Sequence, residues 1–295
     1  MQNGSPSAPA PESHGHAVKG GAYTIAGFLT TQLLRMGGNI VLTRMLNSEA
    51  FGIMAIVHTF LTGLALFSDI GIGPSIIQNQ RGDDPKFLNT AWTLQLGRGV
   101  ILSTLAAAVA VPVAWFFDAP ALATLIPVAA IAGLIEGSQS VKHFTTQRHL
   151  TLGRLTLIEV LSQVAALTVM LTWASITPSV WALVAGGLTG ALTDVVLSHT
   201  ILSGYNARFG WDKRSAHSLI TFGRWIFIST LLTFTVTQAD RLIFGKMVPL
   251  GMLGVYSIAL TVAMVPSSAM RALASRVMFP LFSGAQRRDS QFQEV

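Results

Sequence analysis

The 295-residue sequence contains no cysteine. Disulfides, thiolate metal sites and cysteine nucleophiles are thereby excluded, and the redox state of the surrounding compartment leaves no mark on the chain. Charge is scarce as well. Asp, Glu, Lys and Arg together make up 11% of residues, against about 25% in a soluble globular domain. Too few charges remain to cover a water-facing surface, and the fold class this implies is all-α, a polytopic transmembrane helical bundle. Catalytic signatures are also missing. No Walker A loop, nucleophile elbow, HExxH helix or Cys/His metal spacing occurs, so no catalytic residue and no metal ligand is assigned, the chain reads as a non-enzyme, and ATP is not the expected energy source.

What the sequence has instead is apolar length. Hydrophobic residues make up 51% of it, in runs of about 20 that suffice to cross a hydrocarbon core of ~30 Å as helix. Eight spans are predicted, at roughly 22–45, 50–73, 91–117, 120–141, 154–175, 178–202, 219–245 and 250–282. With the N-terminus inside, the inner segments carry Lys19, Arg81, Lys86, Lys142, Arg148, Arg208, Lys213, Arg214, Arg287 and Arg288, while the outer loops hold little more than Arg44 and Lys246. That asymmetry follows the positive-inside rule and places both termini in the cytoplasm, so the net charge of +6 reads as topology rather than as nucleic-acid binding. Residues 1–18, rich in Pro, Ser, Ala and His, read as a disordered cytoplasmic tail in which His14 and His16 are solvated rather than metal ligands.

Sliding the chain by 202 residues lays Gly21–Leu64 on Gly223–Pro266 without a gap. Gly21, Met45, Gly52, Ile56 and Thr59 then match Gly223, Met247, Gly254, Ile258 and Thr261, and Arg44 meets Lys246. An even number of spans separates the copies, which makes them a parallel repeat. The expected organisation is therefore a six-helix N-terminal lobe over 19–202, a cytoplasmic linker over 203–218 and, over 219–295, the first two helices of a second, truncated lobe. The linker mixes Tyr205, Phe209 and Trp211 with basic residues, a composition suited to the headgroup level.

Polar residues inside apolar spans are costly, so they mark sites. Gln32, Arg35 and Asn39 share one face of span 1, and span 7 supplies Gln238 and Arg241 with Asp240 beside them. The two arginines either face a shared cavity, where a guanidinium fork matches phosphate oxygens, or do something plainer: Arg35 pairs with a neighbouring acid and Arg241 reaches to the outer interface. Span 2 carries a stripe of His58, Thr62 and Asp69; His58 is either a proton carrier or a donor to a backbone carbonyl. Asp69, Glu136, Glu159, Asp194 and Asp240 are candidates for ion coupling. The alternative is that Arg98, Lys142, Arg148 and Arg154 neutralise the inner acids in structural pairs.

Three segments carry a family resemblance: Arg44–Asp84, with its Asp69-x-Gly71 pair; TTQRHLTLGRLTLIEVLSQ followed by VWALVAGGL; and the stretch from Phe222 that holds Asp240, Arg241, Gly245, Gly254 and Tyr256. Together they resemble the polysaccharide-transporter branch of the multidrug/oligosaccharidyl-lipid/polysaccharide exporter superfamily. The resemblance implies a flippase of the bacterial inner membrane that moves an undecaprenyl-pyrophosphate-linked oligosaccharide by alternating access, with Arg35 and Arg241 facing substrate. It implies no cofactor beyond a coupling Na+ or H+, and as partners the lipid-linked oligosaccharide, membrane lipids and the glycosyltransferases and polymerase of the same pathway. Two other readings stay open, a cation-coupled drug antiporter of the same superfamily and a non-transporting scaffold of a polysaccharide synthesis complex.

Overall fold

The computed structural model describes residues 12–69, 71–149 and 151–273, and all regular structure among them is helical. In chain order the helices are α1 (Glu12–Met45), α2 (Ser48–Phe67), α3 (Ile72–Gln78), α4 (Pro85–Phe116), α5 (Leu122–Gly137), α6 (Lys142–Arg148), α7 (Leu152–Ile176), α8 (Trp181–Thr200), α9 (Lys213–Met247) and α10 (Leu250–Leu273). Helix α1 opens at Glu12, inside the stretch read as a tail; residues 1–11 lie outside the described residues, as does the end of the eighth expected span beyond 273.

Five helices, α2, α4, α7, α8 and α10, are long and apolar enough to cross a membrane, and the bent pair α5 and α6 makes a sixth. The eight expected spans therefore divide. Helices α1 and α9, of 34 and 35 residues, are long enough to span but are not among these six within the described residues. They are the two helices that carry the polar stripes, and they are equivalents in the repeat. The repeat register extends to the helix ends: the 202-residue offset separates Met45 from Met247, where α1 and α9 stop, and Ser48 from Leu250, where α2 and α10 start.

The two copies meet where the repeat places its glycines. A methyl group on Gly52 would stand 1.9 Å from the Leu250 carbonyl oxygen, and one on Gly254 would stand 1.9 Å from the Ser48 carbonyl oxygen. Leu250 and Ser48 are themselves repeat equivalents, so the contact is reciprocal and α2 and α10 touch backbone to backbone about a local two-fold. Around this crossing lies the larger apolar core, with Leu42, Ile56, Val57, Ala110, Leu122 and Leu253 all nearly inaccessible. At the same end Lys246 Nζ lies 2.7 Å from Asp118 Oδ2 and over the ring of Phe116. The opposite end is sealed by a smaller cluster of Ile72, Ile76, Phe87, Leu88, Val141 and Leu219.

Two breaks punctuate the helices, and side chains satisfy the backbone at each, as a low-dielectric interior requires. Between α2 and α3, Asp69 Oδ1 accepts the Gly71 N–H at 2.9 Å while Gly71 adopts φ 62°, a left-handed turn that glycine permits without strain. The Asp-x-Gly pair of the sequence is thus a turn. Helices α5 and α6 meet at a bend of 58°. There the Gln95 amide nitrogen lies 3.2 Å from the carbonyl oxygens of Glu136, Gly137 and Gln139, sharing two hydrogens among three acceptors, and His199 Nε2 bonds Ser138 O at 2.9 Å.

The starts of α4 and α9 are capped by acids. Asp84 accepts from Arg81 at 2.7 Å and from the Lys86 N–H at 2.9 Å, and Asp212 accepts from the hydroxyl and N–H of Ser215 at 2.6 and 2.9 Å. The Arg81 bond foremost, then the Lys86 N–H, holds the Asp84 carboxyl below the ordinary carboxylate range, and the Ser215 bonds do the same for Asp212. A carboxyl lowered by folding stabilises the fold above its unfolded pKa, and that stability fades as pH falls through the folded value. Amide protection at the first turns of α4 and α9 is therefore expected to hold from neutral pH and to drop below about pH 4. Hydrogen exchange should show the drop in the parent chain and not in D84N/D212N, whose asparagines still cap but do not titrate. An equal acid response in both would refute the assignment.

Candidate functional site

Two cavities occupy the level between the apolar seals. The larger, about 770 Å³, is lined by Gln32 and Arg35 of α1, Glu136 and Gln139 at the end of α5, Glu159, Ser162 and Gln163 of α7, and Asp194 of α8. The second, about 560 Å³, is lined by His58, Thr62 and Asp69 on the α2 side, Arg98 of α4, Glu136 and Phe144. Glu136, Gln139 and Gly187 border both, so the end of α5 and the middle of α8 form the wall between them.

Arg35 reaches the larger cavity because α1 packs along α7 and crosses α10. Its stripe runs on toward the C-terminal end of α1, where Gln32, Arg35 and Asn39 face Thr261 and Ile258 of α10 across a narrow crevice of about 50 Å³. Arg35 makes no ion pair with a described acid. Of the two readings of Arg35, the pair with an acid of a neighbouring span is not formed among the described residues: three carboxylates share its cavity, and none lies within 4.0 Å of it.

Arg241 sits elsewhere. Its Nη1 donates to Gln238 Oε1 at 3.0 Å, and the same oxygen accepts the Thr59 hydroxyl at 3.2 Å, which ties α9 to α2. Asp240 accepts the Tyr256 hydroxyl, tying α9 to α10. Asp240 Oδ1, Arg241 Nε and Ser257 Oγ are buried without a partner. Arg241 lines neither the larger cavity nor the crevice that Arg35 borders. Helix α9 packs against α2, whereas the Arg35 face of α1 looks toward α7, α8 and α10.

The bases set against the acids have other work. Lys142 Nζ donates to His199 O at 3.3 Å, Arg154 to Ile201 O at 3.4 Å and to the Ser203 hydroxyl, and Arg148 to the carbonyls of Ile76, Ile77 and Asn79 while pairing with Asp83 at 3.1 Å. Each caps carbonyls at a helix end, where cations are favoured. Glu136, Glu159 and Asp194 have no cation within 4.0 Å among the described residues, so Lys142, Arg148 and Arg154 are not their ion-pair partners. Asp194 accepts the Gln139 amide. Arg98 donates to Ala65 O at 2.6 Å and to Ser68 Oγ at 2.9 Å, capping α2 within electrostatic reach of Asp69 and Glu136.

Sequence reading missed Arg98, Gln139 and Ser162 as cavity residues. Arg98 had a signal, being a lone charge within the apolar run of α4; the others are ordinary polar residues until the fold sets them around one space. No group of three or more His, Asp or Glu is placed to hold a metal ion among the described residues.

Comparison with known proteins gives this architecture relatives. No solved structure matches the chain. It is 24% identical over 252 residues to the lipopolysaccharide biosynthesis protein WzxC of Escherichia coli (strain K12), covering 83% of this chain and 50% of the relative. It is 22% identical over 227 residues to the teichuronic acid biosynthesis protein TuaB of Bacillus subtilis (strain 168), covering 77% and 47%. With the succinoglycan biosynthesis transport protein ExoT of Rhizobium meliloti (strain 1021) it shares 20% over 242 residues, covering 82% and 49%. The chain thus spans about half the length of these curated relatives. Residues 41–295 match the model of a family described as polysaccharide biosynthesis protein, a stretch from the C-terminal end of α1 onward that takes in both repeat copies of the glycine crossing. A multi-pass helical membrane chain matched over that length belongs to the polysaccharide biosynthesis protein family.

Proposed function

We propose that this chain acts as a flippase of the bacterial inner membrane, moving a polyprenyl-pyrophosphate-linked oligosaccharide in the synthesis of an exopolysaccharide, capsule or O-antigen. The observation that carries the reading is Arg35, a cation without an ion-pair partner among the described residues, at the edge of a polar cavity of about 770 Å³ inside a chain of this family. A cavity-facing guanidinium with no carboxylate on it is suited to a bidentate phosphate ligand. The amides and carboxylates of Gln32, Gln139 and Gln163 with Glu159 and Asp194 offer donors and acceptors to sugar hydroxyls.

Transport by alternating access is supported by the placement of the seals. The outer end is closed by apolar packing around Gly52 and Gly254, a crossing between the repeat copies that a rigid-body rocking of one copy against the other would open. Glu136, Glu159 and Asp194, without ion pairs in the same cavity, favour a coupling cation, Na+ or H+. The same carboxylates favour the drug-antiporter reading, which drug accumulation with and without an ion gradient would separate from the flippase. Under the flippase reading both termini lie in the cytoplasm, and the pathway's glycosyltransferases and polymerase are the partners to seek.

The test is a clean deletion at the chain's own locus. Loss of surface polymer with accumulation of lipid-linked oligosaccharide on the inner leaflet is the expected result. Normal polymer, or lost polymer without that accumulation, would overturn the reading.

A further inference from the structure

The segment between α8 and α9 is not a slack connector. It is laced onto the first turns of α4, whose Asn89 accepts the Arg208 N–H at 2.8 Å and donates to the Tyr205 hydroxyl at 3.2 Å. Thr93 Oγ1 both accepts the Gly210 N–H and donates to the Gly210 carbonyl, each at 3.1 Å, and Thr90 Oγ1 accepts the Asp212 N–H at 3.0 Å. Phe209 stands edge-on to Trp92 with centroids 5.0 Å apart. Despite this anchoring, Phe209 and Trp211 remain 72% and 60% exposed.

Ordering a strap while leaving two large aromatics uncovered makes little sense in water, where each costs apolar exposure. It makes sense at a membrane interface, where amphipathic rings sit at the headgroup level. The strap lies where the apolar length of α4 begins, and its exposed cations Arg208, Lys213 and Arg214 flank the rings. The nearby acids do not cancel them: Asp84 is bound to Arg81 and Lys86, and Asp212 to Ser215 with Arg81 at 3.8 Å. Uncancelled positive charge beside inserted aromatics is complementary to negatively charged lipid.

We propose that the 203–214 strap is a docking surface for the anionic headgroups of glycerophospholipids in the cytoplasmic leaflet, with Phe209 and Trp211 seated among the acyl-chain roots and Arg208, Lys213 and Arg214 on the phosphates. The strap works as a preformed platform, since Asn89, Thr90 and Thr93 hold its backbone in place before lipid arrives. This reading is independent of what the chain transports.

The test is native mass spectrometry of the full chain from mixed phosphatidylglycerol and phosphatidylcholine micelles, counting retained lipid. The parent chain should retain phosphatidylglycerol preferentially. That preference should fall at least about fivefold in R208Q/K213Q/R214Q, fall less in N89A, which keeps every charge but loosens the strap, and stay unchanged in R44Q at the opposite end. Thermal unfolding of each variant in neutral detergent keeps misfolding distinct from lost binding. No preference in the parent, an undiminished preference in the triple variant, or an equal loss in R44Q would overturn the proposal. So would displacement of phosphatidylglycerol by a soluble acidic peptide at equal charge, which would make the surface a protein-docking site.

Discussion

Replacing Arg35 by alanine is expected to cut polymer output at least about thirtyfold while leaving the protein folded and inserted. The size follows from removing one member of a desolvated charge pair with the substrate phosphate, which costs about 2–5 kcal/mol at ~1.4 kcal/mol per tenfold. The separation from stability follows from the structure. Arg35 has no ion pair with any described acid, so its loss should move thermal stability by no more than about 0.5 kcal/mol. R35K keeps the charge but not the fork and should fall between parent and R35A. Surface polymer quantified against membrane abundance of the protein checks both arms. Wild-type polymer from R35A would sink the cavity assignment, and so would polymer loss that merely tracks loss of the protein from the membrane.

The second large effect is expected at the glycine crossing. In G52A or G254A the added methyl meets a carbonyl oxygen at 1.9 Å, and neither that oxygen nor the helix behind it can step aside as a flexible side chain would. Each single substitution should destabilise the purified protein by about 3 kcal/mol, the upper end of the usual overpacking range. Because one displacement of α10 from α2 relieves both clashes, the double variant should cost clearly less than the sum of the two singles. A double-mutant cycle on thermal unfolding measures that coupling. Additive effects would show that the two contacts are independent and that the local two-fold carries no mechanical meaning. Wild-type stability in either single variant would show that α2 and α10 do not touch there.

The same two sites separate what is legible in the chain from what is not. The 202-residue offset by itself pairs Gly52 with Gly254, since helix ends, turns and small residues keep their spacing through a repeat. That these glycines touch one another is not in the pattern. A repeat says that two segments are alike, and only packing says whether they meet. Asp69 illustrates a different limit. In the sequence it is an acid near the end of an apolar run, and only the fold shows that one of its oxygens accepts the Gly71 N–H while the residue borders a cavity.

Sequence alone determined the class of the molecule. Low charge and apolar length report transfer free energies that add along the chain and need no fold to evaluate, so the all-α membrane bundle emerged from them, and the repeat register emerged from matching residues at one offset. The stripes on α1 and α9 emerged too, because helical spacing sets which residues share a face. Tertiary structure alone decided what those stripes oppose. It put Arg35 with Glu136, Glu159 and Asp194, put Arg241 with Gln238 and Thr59 against α2, and turned Lys142, Arg148 and Arg154 into carbonyl caps rather than partners for the acids. The physical reason is range. Hydrophobic transfer and helical periodicity act residue by residue, whereas an ion pair, a cap or a cavity depends on distances of a few ångströms between residues scores of positions apart, which exist only once the helices have packed.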